Sequence, residues 1–263
     1  MQPSKKYTVI TGASSGIGYE TAKAFADRGK NLIIAARRRS NLESLKHEIL
    51  EQHPTLDVVI RAVDLSALEN VYQFYSSLKD FQLETWVNNA GFGNYDSVAH
   101  QDLEKIDTML RLNIEALTIL SSLFVRGYKD VPGTQLINIS SCGGYTIVPT
   151  AVTYCATKFY VSTFTEGLAW ELIESGAKMR AKVLAPAATQ TEFGKKANNV
   201  EQYDYDRTFG TYHTSQQMAA FLLRLYDSDS TLGIVDRETF KFELRSPMFP
   251  YSNTSVHNQK AGT

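Results

Sequence analysis

The hydrophobic pattern opens on a short run, Tyr7-Thr8-Val9-Ile10, which predicts a buried strand. It breaks at Thr11-Gly12, and from Gly16 apolar residues recur at helical spacing through Ile17, Ala22, Phe25 and Ala26 until Arg28-Gly29. Asn31–Ala36 predicts a second buried strand, ending in Arg37-Arg38-Arg39. Ser40 with Glu43 predicts a capping box for a helix with Leu42, Leu45, Ile49 and Leu50 on one side, closed by Pro54. Residues 56–63 form a third expected strand, then Asp64-Leu65 and a helix through Val71, Phe74, Tyr75 and Leu78. A short strand at 85–87 runs into Asn88-Asn89-Ala90-Gly91, and a long helix covers roughly Leu103–Tyr128. Gln135–Ile139 reads as a strand that ends at Ser140-Ser141, followed by a helix from about Val152 to Glu174, a strand at 179–184 and Pro186. Residues 189–214 are polar and rich in aromatics without a clear period, as functional or disordered loops are. A helix with Met218, Phe221, Leu222 and Leu225, a last strand near 239–244 and a loose polar tail at 252–263 complete the expectation.

Repeated strand–helix alternation predicts an α/β fold, a single Rossmann-type doubly wound parallel sheet with helices on both faces. Residues 1–251 are expected to form one domain with a lid near 189–214. Ligands of such sheets bind beyond the carboxyl ends of the strands. There the pattern places Gly12 to Gly18, Arg37, Asp64, Asn89 to Gly91, Ser141 and Pro186. A strand that turns through glycines into a helix N-terminus suits a phosphate, because free N–H groups point at the anion and residues without Cβ allow close approach. The spacing here is Gly12-x-x-x-Gly16-x-Gly18 rather than the common Gly-x-Gly-x-x-Gly.

With 263 residues, 43% of them hydrophobic and 21% charged, the chain has the composition of a soluble globular protein with one substantial core. A net charge of −1 gives no reason to expect nucleic-acid or membrane-surface binding. No apolar run is read as approaching a membrane span, and the polar start has no signal-peptide core behind it. Cys142 and Cys155 do not make a disulfide framework, and reduced thiols of a cytoplasmic protein are expected.

Tyr154 and Lys158, spaced i, i+4, share one helix face. An ammonium beside a phenol lowers its pKa and fits it for proton transfer near neutrality. Ser141 offers a hydroxyl at the same sheet edge. Alone, a Tyr-x-x-x-Lys pair is more often an ordinary surface face. Together, Thr11-Gly12-x-x-x-Gly16-x-Gly18, Asn88-Asn89-Ala90-Gly91, Asn113, Ser141 and Tyr154-x-x-x-Lys158 resemble the short-chain dehydrogenase/reductase family in content, order and spacing, over residues 6–191. The thirteen-residue step from Ser141 to Tyr154 also fits.

By that resemblance the protein transfers hydride between NADP(H) and a small-molecule carbonyl or secondary alcohol. Tyr154 is the expected acid–base. Lys158 lowers its pKa and binds the nicotinamide ribose, Ser141 orients the substrate oxygen, and Asn113 holds a water that relays protons toward Lys158. Strand alternation favours Ser141 over Ser140. The cofactor is expected along Gly12, Ser14, Ser15, Gly16, Ile17 and Gly18, with Asp64 and Leu65 at the adenine and Asn89, Ala90 and Gly91 at the adenosine ribose. Pro186 and Thr191 are expected near the carboxamide. Ala36 stands where the family's NAD enzymes place Asp, and Arg37 follows, so a guanidinium suited to the 2′-phosphate replaces a carboxylate. Arg37 is taken as the first phosphate ligand and Arg38 as the second. Ala187 departs from the family's glycine and makes carboxamide contacts there less certain. Phe92, Tyr145, Phe193 and Tyr205 are candidate pocket walls, His213 is expected at the surface, and the cysteines as packing residues. A homodimer or homotetramer is expected through Leu103–Tyr128 and Val152–Glu174. The alternative reading is an NADP(H)-binding redox sensor without turnover, which a damaged tetrad would signal. Nucleotide-sugar epimerases or dehydratases of this fold carry a separate substrate domain, for which this chain has no room.

Overall fold

Eight strands form one sheet in the order β10-β9-β6-β5-β4-β1-β2-β3, where β1 is Lys6–Thr11, β2 Asn31–Ala36, β3 Val58–Ala62, β4 Gln82–Asn88, β5 Gln135–Ile139, β6 Arg180–Ala185, β9 Leu232–Val235 and β10 Phe242–Arg245. The computed structural model describes residues 5–252; the polar start and nearly all of the tail expected at 252–263 lie outside them. Seven strands run parallel, and β10 closes the edge antiparallel to β9.

Side-chain alternation divides each central strand between two cores. Ile10 and Ile34 face one side, where α1 (Gly16–Ala26), α2 (Arg39–Gln52) and α9 (Ser215–Asp227) supply Phe25, Leu42, Leu45 and Leu222. Val9, Ile33 and Trp86 face the other, against α3 (Leu68–Ser76), α5 (Leu117–Tyr128) and α6 (Val152–Glu174). Trp86 is wholly buried among Phe74, Tyr75 and Phe124, with ring centroids 5.7–5.8 Å apart. A buried polar chain fixes α5 and α6 on this side. The Asn88 Nδ2 donates to Ser121 Oγ at 3.0 Å and Asn138 Oδ1 at 2.9 Å, and Asn138 Nδ2 donates to Thr165 Oγ1 at 2.9 Å. All four polar groups are thereby partnered where water cannot reach them.

Several elements differ from expectation. Ser40 and Glu43 make no capping box: α2 starts two residues earlier, with Arg38 at its N-cap and the Ser40 hydroxyl turned to Asn41. The capping box lies instead at Thr214 and Gln217, opening α9. The long helix is α4 (Leu103–Leu110) and α5 joined by a π-helical turn, Arg111–Ala116, that contains Asn113. It is 26 residues long and contains an 18-residue stretch of mean hydropathy 1.3, enough in length and composition to cross a membrane, against the expectation that no run approached this; Met109, Leu120 and Phe124 bury its inner face in the protein. Strand β9 escaped prediction, because four apolar residues between polar turns carry no period of their own. The segment 189–214 is ordered into β7 (Thr189–Gln190), α7 (Phe193–Asn198), α8 (Tyr205–Phe209) and β8 (His213–Thr214), with β7 and β8 paired parallel.

The chain reverses its direction of strand addition between β1 and β4, and the loops leaving these strands diverge there. Buried Thr11 ties the two loops: its hydroxyl accepts from Asn89 N at 3.0 Å and Ala90 N at 3.1 Å and donates to Val87 O. Thr11→Val keeps the shape but strands both amide donors. It should cost roughly 2–4 kcal/mol by the usual penalty for unsatisfied buried groups. The expected outcome is a denaturant midpoint shifted well below wild type with an unchanged slope.

Candidate active site

The turn after β1 needs glycine for two reasons. Gly12 has φ +68° and Gly16 φ +60°, and a Cβ on Gly12 would stand 2.8 Å from Ala90 Cα and from Asn89 Nδ2. That amide is committed to the turn, donating to Thr11 O at 2.9 Å and Gly12 O at 3.2 Å. The Ser15 side chain makes no capping bond to α1, which leaves the first-turn N–H groups facing the cavity. A single cavity of ≈ 650 Å³ runs from this turn past the ends of β2, β3 and β4 to Tyr154 and the residues of the 189–214 segment.

At the end of β2 the two arginines part. Arg37 is largely exposed and stands 3.8 Å from Asp64. Arg38 turns to the glycine turn, where its Nη2 donates to Ser15 Oγ at 2.8 Å and Ser14 Oγ at 3.2 Å. Arg38 also grips Glu192 with both nitrogens, at 3.0 and 2.8 Å. Arg37, Arg38, Asp64, Leu65, Ala90 and Gly91 all line the same cavity.

Beyond β5, Ser140 and Ser141 point apart. Ser140 Oγ donates to Lys158 O at 2.9 Å and shares a hydrogen bond with Ser162 at 2.7 Å, so it belongs to the packing of α6. Ser141 faces the cavity and accepts from Gly143 N at 3.0 Å. Tyr154 and Lys158 lie one helical turn apart on α6, both nearly fully buried. The Lys158 ammonium donates to Ile139 O at 2.9 Å and sits 5.9 Å from the centre of the Tyr154 ring. Burial drives the Tyr154 phenol well above its ordinary range; Tyr95 adds to this and the Ser141 hydroxyl opposes it. Burial lowers Lys158 to about 8. The expected depression of the phenol by Lys158 is therefore not what this geometry produces: the ammonium lies against the ring and a backbone carbonyl, and desolvation acts on both groups.

Asn113 does not line the cavity. Its Nδ2 donates to Phe92 O at 2.9 Å and Thr157 Oγ1 at 3.2 Å, and its Oδ1 accepts from Phe92 N at 3.2 Å. The π-helical turn thus presents a side chain that clasps the loop after β4 to α6, behind Gly91.

Phe92, Phe193 and Tyr205 line the cavity as expected, joined by Tyr95, which the sequence pattern did not single out. The Phe193 ring lies 5.3 Å from that of Tyr154. Tyr145 does not take part: it stacks on Phe249 at 5.4 Å and donates to Glu166 at 2.6 Å. His213 is half-buried between Phe221 and Phe240 rather than at the open surface. Cys142 lines the cavity and Cys155 is buried, both as free thiols. Ala187 packs on the core and has no positive φ, so alanine is accommodated there without strain. Pro186 O accepts from Cys142 N at 2.7 Å, and Thr191 lies against Gly16, its hydroxyl accepting from Phe193 N at 3.1 Å to open α7.

Residues 6–202 match the family model of the short chain dehydrogenases, and the chain belongs to the short-chain dehydrogenase/reductase family of oxidoreductases. Among curated relatives, it is 29% identical over 213 residues to the human protein named dehydrogenase/reductase SDR family member 11, covering 79% of this chain and 81% of that one. It is 32% identical over 188 residues to the sulfoacetaldehyde reductase of Chromohalobacter salexigens, covering 70% and 72%. A solved short-chain dehydrogenase from Sphingobium yanoikuyae in complex with NADPH superposes with a TM-score of 0.79 at 28% identity, covering 87% of each chain. The glycine cradle, the open first turn of α1 and the length of the cavity fit a nicotinamide dinucleotide, the family's cofactor.

Lys158 also has a thermodynamic signature. Its pKa is near 8 folded and 10.5 unfolded, so the buried ammonium costs the fold roughly 3 kcal/mol at ~1.4 kcal/mol per unit below pH 8, and that cost vanishes toward 10.5 as folding comes to release the proton. Lys158→Met should therefore raise the melting temperature most at pH 7, with the advantage shrinking steadily by pH 10. A constant difference across this window would mean that burial does not discharge Lys158.

Proposed function

We propose that the protein reduces a carbonyl compound with NADPH, the reverse oxidation of a secondary alcohol using the same groups. The observation that carries this reading is the convergence of Ser141, Tyr154, Lys158, the glycine turn and Arg38 on one cavity. The nicotinamide, when bound, supplies or accepts the hydride. Tyr154 donates its proton to the substrate oxygen as the C–H bond forms, and the Ser141 hydroxyl holds that oxygen and stabilises its developing charge. Burial keeps the phenol in its protonated form, the form that the reductive step uses. Lys158, near 8, replaces the lost proton. Asn113 acts by fixing the β4 loop against α6, which keeps Gly91 and Lys158 in place.

Three features support NADP(H): Ala36 in place of a carboxylate, the two guanidinium groups beside it, and the NADPH-bound relative. Arg38 is the first candidate for the 2′-phosphate because it alone of the two is held against the turn. The aromatic walls favour substrates with an apolar body. Exposed Leu103, Leu110, Val152 and Tyr160 lie on the two helices proposed to pair copies of the chain.

A screen of ketones and aldehydes followed by loss of NADPH absorbance tests the activity. With an active substrate, Tyr154→Phe should lower kcat at least about a thousandfold while NADPH affinity stays within about twofold. Loss of NADPH binding instead would remove Tyr154 from the chemistry, full retention of kcat would mean that another group donates the proton, and absence of turnover with every carbonyl compound would favour a nucleotide-binding role. Arg38→Met should weaken NADPH about tenfold or more and leave NADH nearly unchanged, as measured by titrating each cofactor.

A further inference from the structure

Arg38 already holds an anion, and that anion belongs to the protein. Glu192 takes the outer edge of the guanidinium, Oε1 against Nη1 at 3.0 Å and Oε2 against Nη2 at 2.8 Å. The remaining side of Nη2 faces Ser14 and Ser15. The fork that a phosphate would use is thus committed to a carboxylate, with the serine hydroxyls beside it free to turn and donate. Hydrogen bonds from Arg38 hold Glu192 down to about 2, aided by Lys196 at 2.9 Å, so the carboxylate remains an anion at every working pH. A phosphate monoester carries close to two charges at neutrality. It cannot share the fork with Glu192 without either losing bidentate contact or bringing two like charges together.

We propose that Glu192 is an internal competitor for the cofactor's 2′-phosphate, and so a determinant of cofactor discrimination; this rests on the nucleotide reading given above. The phosphate gains Arg38 by displacing the carboxylate, whereas a nucleotide that ends in a 2′-hydroxyl leaves the Glu192–Arg38 pair intact. The exchange also reaches the reacting groups. Glu192 is the N-cap of α7, and the next residue, Phe193, forms the wall against Tyr154. Release of Glu192 therefore frees the entrance to the helix that shapes the substrate end of the cavity.

The test compares 2′,5′-ADP with 5′-AMP, which differ in the 2′-phosphate, by calorimetric titration of wild type, Glu192→Gln, Arg38→Met and the double variant. Glu192→Gln is expected to bind 2′,5′-ADP about tenfold more tightly than wild type and 5′-AMP within about twofold, with the gain absent when Arg38 is Met. Unchanged or weaker binding of 2′,5′-ADP by Glu192→Gln overturns the proposal, weaker binding meaning that Glu192 positions Arg38 for the phosphate. An equal gain for both nucleotides, or a gain that survives in the Arg38→Met background, overturns it as well, since removal of one negative charge would then explain the effect. Failure of wild type to bind either nucleotide would instead bring down the dinucleotide reading together with this consequence of it.

Discussion

The Thr11 hydroxyl is the point on which the site depends. One buried oxygen accepts two backbone amides from the loop after β4 and donates to the carbonyl before it, at the place where the sheet changes its direction of growth. Continuing the β1–β4 ladder, that junction holds the glycine turn against the Asn89-Ala90-Gly91 loop, with Gly12 close to Ala90. Asn89 strengthens the junction by donating its amide to the turn rather than presenting it to the cavity.

A second support lies behind the cavity. Asn88, Ser121, Asn138 and Thr165 join β4, β5, α5 and α6 through paired buried polar groups, and Asn113 with Thr157 continues the support outward to the β4 loop. These groups set where α6 lies and so where Tyr154 and Lys158 emerge. Their environment then sets their chemistry. Removal from water favours the neutral phenol and the neutral amine, and the nearest partner of the Lys158 ammonium is a carbonyl oxygen rather than the phenol.

The segment 189–214 gains order from tertiary contacts. Tyr205 donates to Thr191 O and accepts from Gly194 N, short β7 and β8 pair with each other, and Glu192 reaches across to Arg38. The ties reach across 11 to 154 residues or join two-residue strands, so no local period announces them. The segment consequently forms both a wall against Tyr154 and a contact with Arg38 beside the glycine turn.

The alternation of strands and helices up to β6, both apolar faces and the sheet edge where the cavity lies were legible in the sequence, because buried strands and amphipathic helices imprint their periods on consecutive residues. So was the placement of Ser141, Tyr154 and Lys158 on one cavity, since their spacing within and just ahead of one helix fixes them on one side. Which arginine turns to the glycine turn was not legible. Arg37 and Arg38 are neighbours of like chemistry, and only Ser14, Ser15 and Glu192, brought from distant parts of the chain, separate them. Nor was the π-helical turn at Asn113, the short strand β9 or the charge state of Lys158. Those depend on what packs around a residue in three dimensions, and the low dielectric and fixed dipoles of that packing are properties of the folded chain rather than of any stretch of it.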